Sequence, residues 1–203
     1  TLEYIDLLRG WNYRYSIDST ETSLAIFWAQ QLMNDVRDQA LAANINIYEF
    51  MADNTTADQK LNALRVAAQT LESDFGSWQV PWGEINRYQR LNGDIVQDFD
   101  DDAPSLPVAF ASSMWGSLAS FGSRRYPGTK KMYGTSGNSF VAAVEFGERL
   151  KAKAITVGGL QSDPDSPHFD DQAQMYASAE FRDVLFYPED IQANLEVQYH
   201  PGE

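Results

Sequence analysis

Two apolar runs in the last third of this 203-residue chain set the strongest limit on how it can fold. The first run, SFVAAVEFG, covers residues 139–147, and the second, AKAITVGG, covers residues 152–159. Only four or five residues separate the runs, so the pattern predicts an antiparallel hairpin over residues 139–158. Because both runs are almost continuously apolar, we expect the hairpin to lie in a sheet that is covered on both faces.

The first 80 residues have the residue spacing of amphipathic helices. Thr56 and Gln59 are spaced as in a capping box. An apolar stripe follows them and predicts a helix from Thr56 to Phe75. Asp18 and Glu21 have the same spacing, and they predict the start of an earlier helix of about six turns.

Residues 81–203 have a different character, because Gly and Pro become frequent and the strand-like runs lie here. After the hairpin, FDDQAQMYASAEF has a helical pattern, VLFY an extended one, and PEDIQANLE predicts a last helix with Pro188 in its first turn. The order predicts an α+β fold, with a helical region over residues 1–80 and an α+β region over residues 81–203.

The charge of the chain excludes several classes of partner. Its 29 acidic and 15 basic residues give a formal net charge of -14, and no run is rich in Lys or Arg. We therefore expect no binding to nucleic acid or to anionic membranes. The apolar runs are too short to cross a bilayer, for which about 20 residues are needed. The absence of cysteine excludes disulfides, thiolate metal sites and cysteine nucleophiles.

Candidate catalytic bases are few, because the chain has two histidines. Three residues near His168 could complete a catalytic triad with it: Ser162, Ser166 and Asp170. No strand–turn–helix nucleophile elbow surrounds either serine, so we expect no triad. His200 lies three residues before the end of the sequence, where fraying is expected.

Thr1 needs separate treatment, since an N-terminal threonine can be a nucleophile with its own α-amino group as the base. The helical sequence LEYIDLLRG follows directly, and before such a sequence a threonine serves as the N-cap. An N-terminal nucleophile normally opens a buried strand. We therefore expect a structural role for Thr1.

Two acidic segments resemble metal-binding loops. In GGLQSDPDSPHFDDQAQMY, residues 158–176, four acids offer oxygen ligands: Asp163, Asp165, Asp170 and Asp171. Pro164 and Pro167 interrupt the alternation that a calcium loop needs. A second group is interpreted as a solvated connector: Asp98, Asp100, Asp101 and Asp102. Zinc bound by His168 and His200 would lack a short-spaced ligand pair, so we predict no metal site.

We interpret residues 158–176 as a device for folding rather than as an active site. Ser166 or Asp170 is expected to cap the helix that follows, and His168 is expected to make a structural hydrogen bond. The glycine-rich YGTSGNSF, residues 133–140, runs into a strand and lacks the lysine of a phosphate loop. It therefore predicts a bend before a strand rather than a phosphate site.

Tryptophan side chains could form a ligand platform. The chain has five: Trp11, Trp28, Trp78, Trp82 and Trp115. We expect Trp28 to be buried, because it lies within a helical pattern, whereas the irregular WQVPW could line a groove with Trp78 and Trp82. One hypothesis for the chain is therefore a stand-alone, non-catalytic module that binds an acyl or glycan ligand.

Four segments carry a resemblance to a known family when they are taken in their order: LLRGWNYRYSIDSTETSLAIFW, VPWGEINRYQR, MYGTSGNSFVAAVEFG and SDPDSPHFDDQAQMYASAEFRDVLFYPEDIQANLEVQYHPGE. Together they resemble the C-terminal part of the large β chain of penicillin-type acylases. The similarity covers nearly the whole chain. It is greatest to the acyl-homoserine lactone acylase-like group, whose chains also end near a Y-x-P-G-E sequence.

The resemblance implies an N-terminal-nucleophile hydrolase of the αββα four-layer type. Such enzymes are periplasmic or secreted, and they are made as a zymogen that cuts itself into α and β chains. The serine at the new β N-terminus hydrolyses a linear amide with its own amine as base, and an asparagine with backbone N–H groups forms the oxyanion hole. These residues, like the family's calcium ligands, lie upstream of the similar region. We therefore expect no catalytic residue and no cofactor in this chain, and no activity of the chain alone.

The resemblance also implies partners for the chain. As a C-terminal fragment of an acylase, it would supply the strands of residues 139–158 to the central sheets of the enzyme. Its exposed sheet edges and apolar faces would be covered by the α chain and the N-terminal part of the β chain, or by self-association. The resemblance leaves the substrate-binding residues unknown and several substrates open: acyl-homoserine lactones, which would mean quorum quenching, penicillins, which would mean antibiotic metabolism, or lipopeptides.

Overall fold

A computed structural model describes residues 1–200 and residue 202 of the chain. Its helices are α1 (Leu2–Arg9), α2 (Thr20–Ala43), α3 (Ile47–Asp53), α4 (Ala57–Phe75), α5 (Trp82–Ile85), α6 (Ala173–Ser178) and α7 (Pro188–Ala193). Its strands are β1 (Asn86–Tyr88), β2 (Leu106–Pro107), β3 (Phe121–Arg124), β4 (Met132–Gly137), β5 (Phe140–Glu145), β6 (Lys151–Thr156) and β7 (Arg182–Asp183). Helices precede mostly antiparallel strands, which confirms the predicted α+β class.

Contacts divide the chain into two units. The first comprises residues 1–89 and 96–137, and the second comprises residues 90–95 and 138–203. The sequence-based division at residue 80 followed the change from helical to strand-like sequence. The contacts instead group β1–β4 with the helices, because both contribute side chains to one core.

The helices of the first unit begin at polar caps. Thr56 and Gln59 form the predicted capping box: the Thr56 N–H donates to Gln59 Oε1 at 2.9 Å, and the Gln59 N–H donates to Thr56 Oγ1 at 3.2 Å. The predicted start of α2 is wrong by one residue. Ser19, not Asp18, is the N-cap, since Ser19 Oγ accepts the Thr22 N–H at 3.0 Å.

The core of the first unit lies where α2 and α4 pack together and meet the sheet. Leu24 and Leu71 are fully buried, and Trp82, Ile85 and Met132 belong to the same apolar cluster. The sheet has the strand order β2-β1-β4-β3, in which the β1–β4 pair is parallel and the other pairs are antiparallel. No helix in residues 1–200 has the length and apolar character to cross a membrane.

The second unit contains the predicted hairpin. β5 and β6 pair antiparallel from Phe140 opposite Thr156 to Glu145 opposite Lys151, and β7 pairs with the other side of β6. The expected cover on both faces is present only over part of β6, where Ile155 is buried. β5 is exposed along most of its length, including Phe140 at 58%. That part of the expectation is wrong for the described residues of the unit, which leave the side chains of β5 largely exposed.

We expect Gly134→Ala to destabilise the first unit, because a Cβ at this position in β4 would overlap the ring of Phe121 on the paired strand β3. The cost of such overpacking is roughly 1–3 kcal/mol. Gly10→Ala is the matched control, since its Cβ would lie 3.5 Å from the nearest atom, the Leu7 carbonyl oxygen. Urea unfolding of both variants measures the effect, and equal midpoints would contradict the close β3–β4 approach.

Candidate functional site

Thr1 lies at the start of α1 in an environment unlike that of a nucleophile. It occupies the predicted N-cap position, and its carbonyl oxygen accepts the Ile5 N–H at 3.3 Å, but its side chain makes no capping hydrogen bond. Thr1 is exposed, and α1 has no buried residue. These surroundings are those of a surface helix start rather than of a shielded reaction centre.

The imidazole of His168 contacts an acid and not a serine. His168 Nδ1 lies 3.0 Å from Asp171 Oδ2, and the imidazole is largely exposed. Ser166 Oγ instead accepts the backbone N–H of His168 at 3.2 Å, and the Ser162 N–H donates to the side chain of Gln161. His168 thus makes a side-chain hydrogen bond, as predicted, and these contacts do not form a triad.

The helix after this loop begins without the predicted side-chain cap. α6 starts at Ala173, with Gln172 at the N-cap position and no capping side chain. The two proposed caps act through their carbonyl oxygens, because Asp170 accepts the Ala173 N–H at 2.9 Å and Ser166 accepts the Phe169 N–H at 3.1 Å. The capping prediction is therefore wrong: the chain forms consecutive turns, which satisfy these N–H groups before the helix begins.

Arg90 holds the loop of residues 159–169 in place, and sequence reasoning missed it. Its guanidinium donates to the carbonyl oxygens of Gly159 at 3.3 Å, Gln161 at 2.9 Å and Phe169. The same group lies 4.1 Å from the centroid of the Phe169 ring. A planar group with five donors suits such a set of carbonyls. No local pattern indicates a partner about 70 residues away in sequence.

Gly159 allows the two sides of this loop to meet. A Cβ at this position would overlap the carbonyl oxygens of His168 and Phe169. The glycine and Arg90 therefore act together. The glycine permits the close approach of the two sides of the loop, and Arg90 donates hydrogen bonds to the carbonyl oxygens that this approach brings together.

One acid of the predicted solvated connector has a structural role, because its carboxylate accepts hydrogen bonds from a backbone N–H and a side-chain hydroxyl of another segment. The Asp101 carboxylate accepts the Lys130 N–H at 2.7 Å and the Tyr133 hydroxyl at 2.9 Å. Burial, followed by this hydrogen bond to Asp101, raises the pKa of Tyr133. The connector interpretation holds for its exposed acids, Asp98, Asp100 and Asp102, and is wrong for Asp101. Within residues 1–200, no three His, Asp or Glu side chains are grouped to hold a metal ion.

The tryptophans of WQVPW do not form an open platform. Trp82 is 1% exposed and belongs to the core of the first unit. Trp78 is half-buried and packs edge-on against Tyr4, with ring centroids 4.8 Å apart. Trp28, predicted to be buried, is half-buried, and its indole N–H donates to the Lys60 carbonyl at 2.8 Å.

The glycine-rich segment of residues 133–140 differs in structure from its prediction. Residues 133–137 are themselves part of strand β4, and residue 140 begins β5. Gly137, the last residue of β4, has a φ of 127°, which disfavours other residues. The segment therefore connects two strands, and no helix N-terminus follows it that could hold a phosphate.

The hairpin of the second unit has one charged and one apolar face. On the first face, Glu145 pairs with Lys151 at 3.7 Å, and Lys153 pairs with Asp183 at 3.3 Å. The opposite face of β5 has apolar side chains, Phe140 at 58% exposure and Val144 at 46%. We call this row, together with the outer edge of β5, the β5 surface. It offers backbone groups and apolar contacts to a partner but no reactive side chain.

The last helix is tied to the hairpin loop by a second arginine. Arg149 pairs with Glu189 at 2.9 Å and with Asp190 at 2.5 Å, and it lies 4.0 Å from the centroid of the Tyr187 ring. The Tyr187 hydroxyl accepts the Leu150 N–H at 2.8 Å. Hydrogen bonds to its own backbone N–H and to Arg149 lower the pKa of Glu189. These polar contacts position the C-terminal segment, although most of its apolar residues are exposed: Val184, Leu185, Phe186, Ile191, Leu195 and Val197.

Comparison with known proteins gives a family match that covers most of the chain. Residues 1–193 match the family described as penicillin amidase. No curated protein matches the chain. The matched range includes the four segments on which the resemblance was based, apart from the last residues. Pro201 and Glu203 of the closing Y-x-P-G-E sequence lie outside the described residues.

We expect Arg90→Lys to loosen the loop of residues 159–169, because an ammonium group cannot reproduce the planar contact with three carbonyl oxygens and an aromatic ring. The carbonyl of the buried residue Phe169 would lose its donor, and an unsatisfied buried acceptor costs roughly 1–3 kcal/mol. Hydrogen exchange should therefore become faster in this loop. Arg9→Lys is the control, since Arg9 makes an exposed pair with Asp6. Unchanged protection in the Arg90 variant would contradict the role assigned to the guanidinium.

Proposed function

Because this chain belongs to the penicillin amidase family, we propose that it is the C-terminal, structural part of an acylase that hydrolyses linear amides. The remaining α chain and the N-terminal part of the β chain supply the nucleophile and cover the surfaces that this part leaves open. The family match supports the acylase, and the surface of the chain supports the dependence on a partner.

The accessible surface of the chain is the observation that carries the proposal. It amounts to 12801 Å² for a mass of 22.8 kDa. A compact monomer of this mass exposes about 9,600 Å². Two separately folded units of about 130 and 70 residues would expose about 11,400 Å². The excess therefore does not depend on how the two units are arranged, and it supports the proposal of a partner that covers part of this surface.

The second unit accounts for much of the uncovered apolar surface. Its described part has five buried hydrophobic residues: Ala154, Ile155, Phe169, Ala173 and Tyr176. A unit of about 70 residues normally needs a larger core, or a disulfide or structural metal ion, to be stable alone. The exposed β5 surface and the exposed apolar residues after β7 are where further strands or helices would complete such a core. In the αββα architecture that the resemblance implies, these would be the neighbouring layers.

The proposed reaction needs groups that this chain does not supply. Amide hydrolysis in this family uses an N-terminal serine, its α-amine as base, and an asparagine in the oxyanion hole. No position of this chain corresponds to them, so we assign no catalytic residue. We place the substrate pocket, the calcium ligands and the self-processing site in the remaining part of the enzyme. A periplasmic or secreted location follows from the same resemblance.

The alternative, a stand-alone binding module for an acyl or glycan ligand, has less support than the acylase part. It relied on a groove lined by Trp78 and Trp82, and Trp82 is a core residue. No observation in residues 1–200 favours that alternative over the acylase part.

The proposal predicts that the natural gene product is larger than this chain. Purification of the longest natural polypeptide, with its intact mass and N-terminal sequence, should reveal a precursor whose C-terminal part contains these residues. The upstream part should begin with a secretion signal and include the serine that becomes the new N-terminus. A natural product that consists of these 203 residues alone would overturn the proposal.

Activity assays separate this chain from the parent enzyme. We expect the isolated 203-residue chain to give no hydrolysis of acyl-amide substrates above the rate of the buffer, and Thr1→Ala to change nothing. Co-expression with the upstream polypeptide should give activity and lower the binding of a hydrophobic dye to the chain, because apolar surface becomes covered. Turnover by the isolated chain that Thr1→Ala abolishes would instead identify Thr1 as a nucleophile.

A further inference from the structure

The connection between β1 and β2 contains a chemically reactive pair of residues. Asn92 is directly followed by Gly93, and of the ten asparagines in the chain it is the one that precedes a glycine. Residues 89–105 belong to no helix or strand, and Gly93 and Asp94 are exposed. The backbone around Asn92 therefore lies outside the regular hydrogen bonding that fixes helices and strands, and water reaches it.

In such a pair the backbone nitrogen of the glycine can attack the side-chain carbonyl carbon of the asparagine, because the attack closes a five-membered ring. Glycine favours this step, since it has no Cβ to hinder the approach and its backbone has more conformational freedom than that of other residues. Hydroxide first removes the proton of the Gly93 N–H. The nitrogen then bonds to Asn92 Cγ, the Cγ–Nδ2 bond breaks, and ammonia leaves with a proton taken from water.

A hydrogen bond within the loop supports this attack. The Asp94 N–H donates to Asn92 Oδ1 at 3.0 Å. Attack at Cγ moves negative charge onto Oδ1, so a backbone N–H that is already directed at this oxygen stabilises the charge as it forms. The same hydrogen bond limits rotation of the Asn92 side chain and keeps its carbonyl group beside the backbone that follows, which lowers the entropic cost of ring closure.

We propose that Asn92 is a modification site, at which spontaneous deamidation through a succinimide gives aspartate and isoaspartate. Water opens the succinimide ring at one of its two carbonyl carbons. Opening at Cγ gives aspartate, and opening at the α-carbonyl carbon gives isoaspartate, in which the main chain runs through Cβ and Cγ and is one methylene longer. Both products replace an amide by a carboxylate. The reactants are two neighbouring residues and water, so the inference needs no partner and does not rest on the proposed function.

Isoaspartate at this position disturbs the second unit, because the residues on either side of Asn92 both contact the loop of residues 159–169. A Cβ at Gly93 would overlap the Ser162 carbonyl oxygen, so the two backbones approach closely there. Arg90 donates to the Gln161 carbonyl oxygen at 2.9 Å. A longer main chain between Arg90 and Gly93 changes the spacing of these two contacts, so the isoaspartate form holds the loop less firmly than the original chain.

Incubation of the folded 203-residue chain at mildly alkaline pH, followed by proteolysis and mass spectrometry, tests the proposal. Asn92 should lose its amide before the other asparagines, and faster as the pH rises, because hydroxide removes the Gly93 proton. Asn138 is the internal control, since it is exposed, lies between two strands and precedes Ser139. In Asn92→Gln the conversion should be lost, because the longer side chain would have to close a six-membered ring. Retention of Asn92, or conversion no faster than that of Asn138, would overturn the proposal.

A second measurement separates the two products and tests the effect on the loop. Isoaspartyl methyltransferase labels isoaspartate and not aspartate, so it identifies the lengthened form. Hydrogen exchange in residues 159–169 should be faster in that form than in the original chain. Asn92→Asp is the matched control, because it adds the same charge without lengthening the main chain, and its exchange should equal that of the original chain. Unchanged exchange in the isoaspartate form, or an equal increase in Asn92→Asp, would overturn the assigned effect of main-chain length.

Discussion

Burial of apolar side chains between α2 and α4 is the interaction on which the first unit depends. Leu24 and Leu71 are fully buried there, and Trp82 extends the same cluster beyond the helices. Because the cluster also includes Met132 of β4, one core holds the helices and the four-stranded sheet together. The short strand β1 is held beside this core by the buried side chain of Asn86, which donates to the carbonyl oxygens of Val108 and Phe110.

The second unit has little such burial, and two arginines organise it instead. Arg90 satisfies the carbonyl groups of the loop after β6, and Arg149 ties α7 to the hairpin loop. Contacts of this kind fix local geometry, but exposed ion pairs contribute little to the free energy of folding. The unit therefore has a defined local geometry but buries little apolar surface. Its β5 surface is open, as the proposed association with the rest of an acylase requires.

Sequence reasoning was most successful where a structural element is encoded by neighbouring residues. The capping box at Thr56 and the hairpin of residues 139–158 both depend on contacts within about 20 positions, and both were predicted. The four-stranded sheet was not predicted, because β1 has three residues and pairs with β4 across more than 40 positions. The contacts of Arg90 and Asp101 were missed for the same reason: their partners are distant in sequence, and an isolated charged residue has no periodic pattern.

The sequence by itself determined the class of the fold, the main helices, the hairpin and, through its ordered segments, the family. These follow from local spacing and from motifs, which require no knowledge of how the chain is arranged in space. The tertiary structure alone decided which residues share a core, so that Trp82 became a core residue and β5 became an exposed edge. The physical reason is that burial depends on what packs against a residue, and the described residues of its unit leave most side chains of β5 exposed.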